Sequence, residues 1–94
     1  MGERVVIYAR GTIQEIALQR DACLMVAHRA GQQVVAFASD GNGDRHGWDD
    51  ANRMVAEDRA DRVLVDTLRR MPPFITSATQ EIRRLTPGRR PRRT

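Results

Sequence analysis

The sequence contains no lysine, a single cysteine, and as aromatic residues only two phenylalanines, one tryptophan and one tyrosine. The lone Cys23 excludes an internal disulfide, and its apolar neighbours Ala22 and Leu24 predict that its thiol packs in a core. No apolar run approaches the roughly 18 residues that cross a bilayer, and residues 1–4 lead into a strand pattern without a signal-peptide core. We therefore expect a cytoplasmic protein with no membrane partner.

Because lysine is missing, arginine carries all 16 basic charges, which oppose 12 acidic residues and leave a net charge of +4. A composition rich in Ala, Arg, Asp and Gly is typical of GC-rich genomes, so the choice of arginine says little about phosphate recognition. The position of the charges is more informative, because residues 89–94 contain four arginines and no aliphatic or aromatic residue. This pattern predicts one domain over residues 1–86 and a disordered arginine-rich tail over residues 87–94.

Apolar residues make up 40% of the chain and occur in blocks, which predicts a packed fold with a modest core. Residues 4–9 form a continuous β-branched and aromatic run, typical of a strand that is buried on both faces of a parallel sheet. Helical spacing over residues 14–30, with Gly31 as a C-terminal cap, and a second apolar run over residues 33–39 complete a βαβ unit. The two strands of such a unit are parallel.

The rest of the chain continues this alternation of helices and strands. A polar loop over residues 40–47 precedes a helix predicted over residues 48–59, and residues 62–66 form a third buried strand. Two prolines at 72–73 stop the turn that follows, and an amphipathic helix is predicted over residues 74–85, with no fourth strand after it. The prediction is an α/β fold of three layers, in which a parallel sheet of strand order 2-1-3 lies between helices.

The carboxyl ends of parallel strands are the usual position of ligand sites in such folds. In the order 2-1-3 the first and third strands are neighbours, so Arg10, Arg69 and Arg70 converge there, beside the hydroxyl of Thr12. Arginine forks and a helix N-terminus suit a phosphate group. In the alternative interpretation, which composition favours, these arginines lie at the solvent and pair with nearby aspartates. Those aspartates are Asp40, Asp44 and Asp66.

Five short segments, taken in their order along the chain, form a pattern that points to a known family. Residues 8–12 read Tyr-Ala-Arg-Gly-Thr, residues 19–23 read Gln-Arg-Asp-Ala-Cys, and Gly31 precedes the second strand. Residues 45–48 read Arg-His-Gly-Trp after a glycine-rich loop, and residues 63–71 read Val-Leu-Val-Asp-Thr-Leu-Arg-Arg-Met. Together these segments span residues 4 to about 71, and they resemble the catalytic domain of the resolvase/invertase-type serine recombinases.

The resemblance implies DNA strand exchange, in which a serine hydroxyl attacks a backbone phosphate while arginines stabilise the developing charge. It places Thr12 at the position of the nucleophile and Arg10 and Arg70 at catalytic positions. It also places Arg45 and Gln19 where the family contacts phosphate or DNA. The tail arginines are predicted to add contacts to the DNA backbone. They are Arg89, Arg90, Arg92 and Arg93.

Several departures from the family pattern predict a truncated and degenerate relative. Thr12 replaces the serine, Gly11 replaces a valine, and the stretch up to Gln19 is about four residues shorter than in the family. Arg69 stands at an aspartate position and Pro73 at an arginine position. The chain also ends before the long dimerising helix and the DNA-binding domain of the family, so we expect a pseudoenzyme.

The expected function is that of a recombinase-like protein associated with DNA recombination, inactive as it stands and without a cofactor. Two alternatives stay open: a non-specific nucleic-acid-binding module, and an interaction module whose partner is a second copy of the chain or a full-length recombinase. No metal site is expected, because His46 lacks ligands at suitable spacing. Trp48 is predicted to anchor the core rather than to stack on bases, and His28 to lie at the surface.

Overall fold

The structure is a computed structural model that describes residues 2–41, 43–66 and 79–82. These ranges hold β1 (Arg4–Arg10), α1 (Ile13–Arg29), β2 (Gln33–Asp40), α2 (His46–Ala56), β3 (Arg62–Asp66) and β4 (Thr79–Ile82). All neighbouring strands are parallel, and their order is β2-β1-β3-β4. The predicted α/β fold with strand order 2-1-3 is confirmed. Among the described residues, no helix has the length and apolar character needed to cross a membrane.

β1 lies inside the sheet, and every residue between its two ends is fully buried. Val6 and Tyr8 belong to a core cluster with α2, whereas Val5 and Ile7 belong to a cluster with α1 on the opposite face. Alternate side chains of one strand thus enter two different cores. The predicted three layers are confirmed, and so is the packing role of Cys23, which is buried in the α1 cluster.

A bulge in β2 decides which of its side chains face each helix. Successive residues of β1 pair with Val34 and Ala36, so Val35 is an extra residue between them. Because strand side chains alternate between faces, this insertion places Ala36 against α2. Phe37 pairs with Ile7 and therefore lies on the α1 face of the sheet.

Both ends of α1 follow from local sequence. The Thr12 hydroxyl oxygen accepts a hydrogen bond from the Glu15 N–H at 3.1 Å, and the Glu15 carboxylate accepts one from the Thr12 N–H at 2.9 Å. This reciprocal pair is a capping box. At the other end Gly31 has a φ of +71°, and the amides of Gly31 and Gln32 bond to carbonyls of the last turn. The predicted glycine cap is confirmed.

α2 begins at His46 and ends at Ala56, earlier at both ends than the predicted 48–59. Asp40 explains the early start, because its carboxylate accepts hydrogen bonds from the N–H groups of Gly47 at 2.7 Å and Trp48 at 2.9 Å. The polar loop predicted over 40–47 is correspondingly shorter. The helix ends early because Asp58, with a φ of +61°, turns the chain. The amides of Asp58 and Arg59 then donate hydrogen bonds to carbonyls of the last helical turn.

The helix predicted over residues 74–85 is wrong at residues 79–82, and the expectation of no fourth strand is wrong as well. These residues form β4, which pairs in parallel with β3. The free edge of β3 supplies unpaired backbone donors and acceptors, and a strand ladder there satisfies them. Four residues are too few for their apolar period to distinguish a helix from a strand. The other residues of the predicted helix lie outside the described ranges.

Candidate functional site

Buried polar groups are connected at the carboxyl ends of β1 and β2, where ligand sites of parallel sheets usually lie. Asp40 is at their centre and is 5% exposed. In addition to capping α2, its carboxylate accepts a hydrogen bond from the Tyr8 hydroxyl at 2.8 Å. Arg10 donates from Nη1 to the Tyr8 hydroxyl at 3.2 Å and from Nη2 to the Asp44 carbonyl at 3.1 Å. This network joins the ends of two strands to the loop before α2.

The network keeps Asp40 ionised. Burial acts to raise the pKa of its carboxyl, but hydrogen bonds from the two α2 amides and from Tyr8, together with the charge of Arg10, outweigh burial and hold this pKa below its usual range. Burial and the hydrogen bond to Asp40 raise the pKa of Tyr8 well above its usual range. Tyr8 therefore keeps its proton and is a hydrogen-bond donor to the Asp40 carboxylate at physiological pH.

Trp48 covers the network from the α2 side. Its ring meets the Tyr8 ring edge to face, with centroids 5.0 Å apart and planes inclined at 69°. The Trp48 side chain is buried, which confirms its prediction as a core anchor. A nucleobase could stack on this ring only if the ring left the core.

Gln19 fixes the backbone at the end of β1. Its Oε1 accepts a hydrogen bond from the Arg10 N–H at 3.0 Å, and its Nε2 donates one to the Arg10 carbonyl at 2.7 Å. The side chain is buried, so both bonds form away from bulk water. Gln19 thus positions Arg10 by bonding to both its N–H and its carbonyl.

Thr12 lies at the surface at the N-terminus of α1, where the capping box engages its hydroxyl oxygen. The carboxylate of Glu15 bonds to the Thr12 amide, so this helix N-terminus carries an anion of its own. Gly11 makes the arrangement possible, because its φ is +125° and a side chain there would collide with Glu15. Glycine at this position therefore suits both the backbone conformation and the capping box.

The remaining predicted site residues are dispersed. Arg45 is exposed just before α2, and its guanidinium lies 3.7 Å from the carboxylate of Asp49. It thus pairs with an aspartate of the first turn of α2. Arg10, in contrast, bonds to a hydroxyl and a backbone carbonyl within the described ranges. The other arginines predicted for the site lie outside these ranges. They are Arg69, Arg70, Arg89, Arg90, Arg92 and Arg93.

Sequence reasoning did not identify Tyr8 and Asp40 as bonded partners. Tyr8 and Arg10 share a strand face, and Asp40 ends the neighbouring strand, but the bulge in β2 decides that Asp40 lies on the same face as Tyr8. Within the described ranges, no group of three or more His, Cys, Asp or Glu side chains could hold a metal ion. Comparisons with protein-family models, curated proteins and solved structures find no match for the chain.

Proposed function

We propose that this chain is a serine-recombinase-like α/β domain, associated with DNA recombination in the cytoplasm, that binds DNA non-specifically and does not cut it. The order of the resembling segments supports a recombinase-like origin. The fold supports it too, because residues 8–12, Gln19 and Arg45 all lie toward the carboxyl ends of β1 and β2. No cofactor is part of the proposal.

The capping box of α1 is the observation that carries the non-catalytic part of this proposal. A hydroxyl that attacks a phosphate must reach the phosphorus and give its proton to a base. The Thr12 oxygen instead accepts the Glu15 N–H, while the Glu15 carboxylate takes the place at the helix N-terminus that would suit a phosphate. A DNA phosphate that approached Thr12 would meet a like charge, so the geometry opposes catalysis.

The distribution of charge along the chain supports the DNA-binding part. Residues 1–66 contain eight arginines and eleven acidic residues, which gives a net charge of −3. Residues 67–94 contain eight arginines and a single acid, Glu81, which gives +7. An acidic segment repels DNA and a basic one attracts it. We therefore assign the phosphate contacts to the arginines of this basic segment, chiefly the four in residues 89–94, rather than to Arg10 and Arg45 in the acidic segment.

Fluorescence anisotropy of a labelled duplex, measured over a range of salt concentrations, tests this assignment. We expect binding in the micromolar range or weaker at low salt, with a log–log salt slope of about −3.6 for four phosphate contacts. Deletion of residues 89–94, which removes Arg89, Arg90, Arg92 and Arg93, should abolish most of the binding.

A matched control removes two other arginines. Arg53 and Arg59 each lie 3.3 Å from a carboxylate, of Asp50 and Glu57 respectively. Replacing both by glutamine changes the net charge by two but leaves the tail intact, so the salt slope should stay the same. If the chain without residues 89–94 binds DNA as well as the full chain, the assignment is wrong.

A protein-interaction module is the second candidate function. Apolar side chains exposed on α1 and β2 favour it, because such a surface is usually covered by another molecule. This function does not exclude the first, since the two use different parts of the chain.

A further inference from the structure

β2 is the outermost strand of the sheet, and within the described ranges it pairs only with β1. The Asp40 carbonyl accepts a hydrogen bond from the Gly11 N–H at 3.0 Å, so the backbone of Asp40 faces β1. Because backbone groups point to alternate sides along a strand, those of Phe37 and Ser39 point away from the sheet. The outer edge of β2 therefore offers hydrogen-bond donors and acceptors that another extended chain can pair.

This edge carries few of the features that keep other chains from pairing with an exposed strand. Residues 33–39 contain no charged residue and no proline, the residue types that usually block such edges. Val35 and Phe37 are 36% and 48% exposed. The bulge at Val35 leaves residues 36–40 in regular register with β1. The second half of β2 is thus open to an added strand.

A groove runs beside this edge, between residues 37–39 of β2 and the exposed side of α2. Its volume is about 560 Å³, and Met54, Asp50 and Arg53 line its helical wall. The side chains of an added strand would alternate between the two faces of the sheet, so every second one would enter this groove. Peptide recognition by strand addition combines backbone hydrogen bonds with such space for alternate side chains.

Charge indicates what the added strand should carry. The Arg20 guanidinium lies over the Phe37 ring, 4.9 Å from its centroid. Arg20 forms no ion pair within the described ranges, whereas Arg53 and Arg59 in the groove each pair with a carboxylate. An unpaired positive charge thus lies at this edge, although residues 1–66 have a net charge of −3. An acidic side chain beside Phe37 would complement it.

We propose that the outer edge of β2 binds an extended segment of a partner protein, which pairs with residues 36–39 and directs an acidic side chain toward Arg20. A second copy of this chain fits less well. Two antiparallel β2 edges related by a two-fold axis near Phe37 would bring each Arg20 toward the Arg20 of the other copy. The proposal rests on the second candidate function, the interaction module, and not on DNA binding.

Fluorescence anisotropy of a labelled peptide, titrated with the full chain at physiological salt, tests the proposal. The probe is an eight-residue peptide that alternates valine and glutamate, and we expect it to bind in the submillimolar range. Replacement of its glutamates by lysine should weaken binding about tenfold. Methylation of every backbone amide of the glutamate peptide should also weaken binding about tenfold or more, because it removes the donors of the ladder. Binding of glutamates to the tail arginines would survive methylation.

A pair of variants tests the charge. Arg20→Gln should weaken binding of the glutamate peptide about threefold, which is the effect of one exposed ion pair. Arg29→Gln makes the same change in charge on the same helix and should have no effect. Arg29 is exposed and lies nine residues later, on the opposite side of α1 from Arg20.

Nuclear magnetic resonance of the ¹⁵N-labelled chain locates the bound peptide. The amide signals of Phe37 and Ser39 should shift, and their hydrogen exchange should slow. The proposal is overturned if the glutamate peptide does not bind at about 1 mM, or if the methylated peptide binds equally well. Shifts confined to α1 would also overturn it but would leave the interaction module standing. Sedimentation velocity that shows the chain alone dimerising, with the same amides protected, would make this edge an interface between copies and overturn it too.

Discussion

Replacement of Asp40 by alanine removes an acceptor that three buried donors share. The donors are the Tyr8 hydroxyl at 2.8 Å and the N–H groups of Gly47 at 2.7 Å and Trp48 at 2.9 Å. Loss of a helix N-cap lowers stability by about 1 kcal/mol, and a buried hydroxyl left without a partner adds about 1–3 kcal/mol. We therefore expect a loss of about 3 kcal/mol in the free energy of unfolding, a large part of the roughly 5–10 kcal/mol of a domain this small.

Urea denaturation followed by tryptophan fluorescence measures this loss, because Trp48 is the only tryptophan and is buried against Tyr8. Tyr8→Phe is the matched control, since it removes the two hydrogen bonds of the Tyr8 hydroxyl, to Asp40 and from Arg10, and leaves both α2 amides capped. It should lower stability by about 1 kcal/mol. An Asp40→Ala variant no less stable than Tyr8→Phe would refute the reasoning, because the bonds from Asp40 to the two α2 amides would then add nothing to stability.

Three further predictions concern stability. Because the pKa of Asp40 is lowered in the folded state, its ionisation stabilises the fold above the unfolded pKa of about 3.9, and this stabilisation is lost as the pH falls through the folded pKa. In Asp40→Asn, urea titrations at several pH values should therefore show a smaller loss of stability at acid pH. Gly31→Ala should lower stability by about 1 kcal/mol through backbone strain alone, since φ is +71° and nothing lies within 4 Å of the added carbon; a thermal midpoint equal to that of the unaltered chain would contradict this. Gly11→Val should be more damaging than Gly31→Ala in the same assay, because it combines a positive φ with a collision against Glu15.

The first three strands and the two described helices were predictable because their signals are local. The run from Val5 to Ala9 is uninterrupted by polar residues, which is typical of a strand covered on both faces. The strict handedness of βαβ crossovers then places the two helices on opposite faces once the strand order is 2-1-3. Gly31 likewise marks the end of α1 through a backbone conformation that glycine adopts most easily.

The network around Asp40 was not predictable, because it depends on the bulge at Val35. Without that extra residue, Asp40 would lie on the α1 face of the sheet, away from Tyr8 and α2. No short-range pattern in the sequence marks the insertion. β4 was missed for a similar reason, since the neighbouring edge of β3 decides the conformation of residues 79–82.

The proposal that this chain does no chemistry on DNA is tested most directly by denaturing electrophoresis after incubation with supercoiled plasmid. We expect no denaturant-resistant protein–DNA complex from the unaltered chain. Thr12→Ser should give none either, because the Glu15 carboxylate still occupies the helix N-terminus. Pro73 also stands where the resemblance places an arginine. Losing such a charge-stabilising group lowers rates by about a hundredfold or more. A complex that forms with the unaltered chain and disappears in Thr12→Ala would contradict the account, because the threonine would then be a working nucleophile.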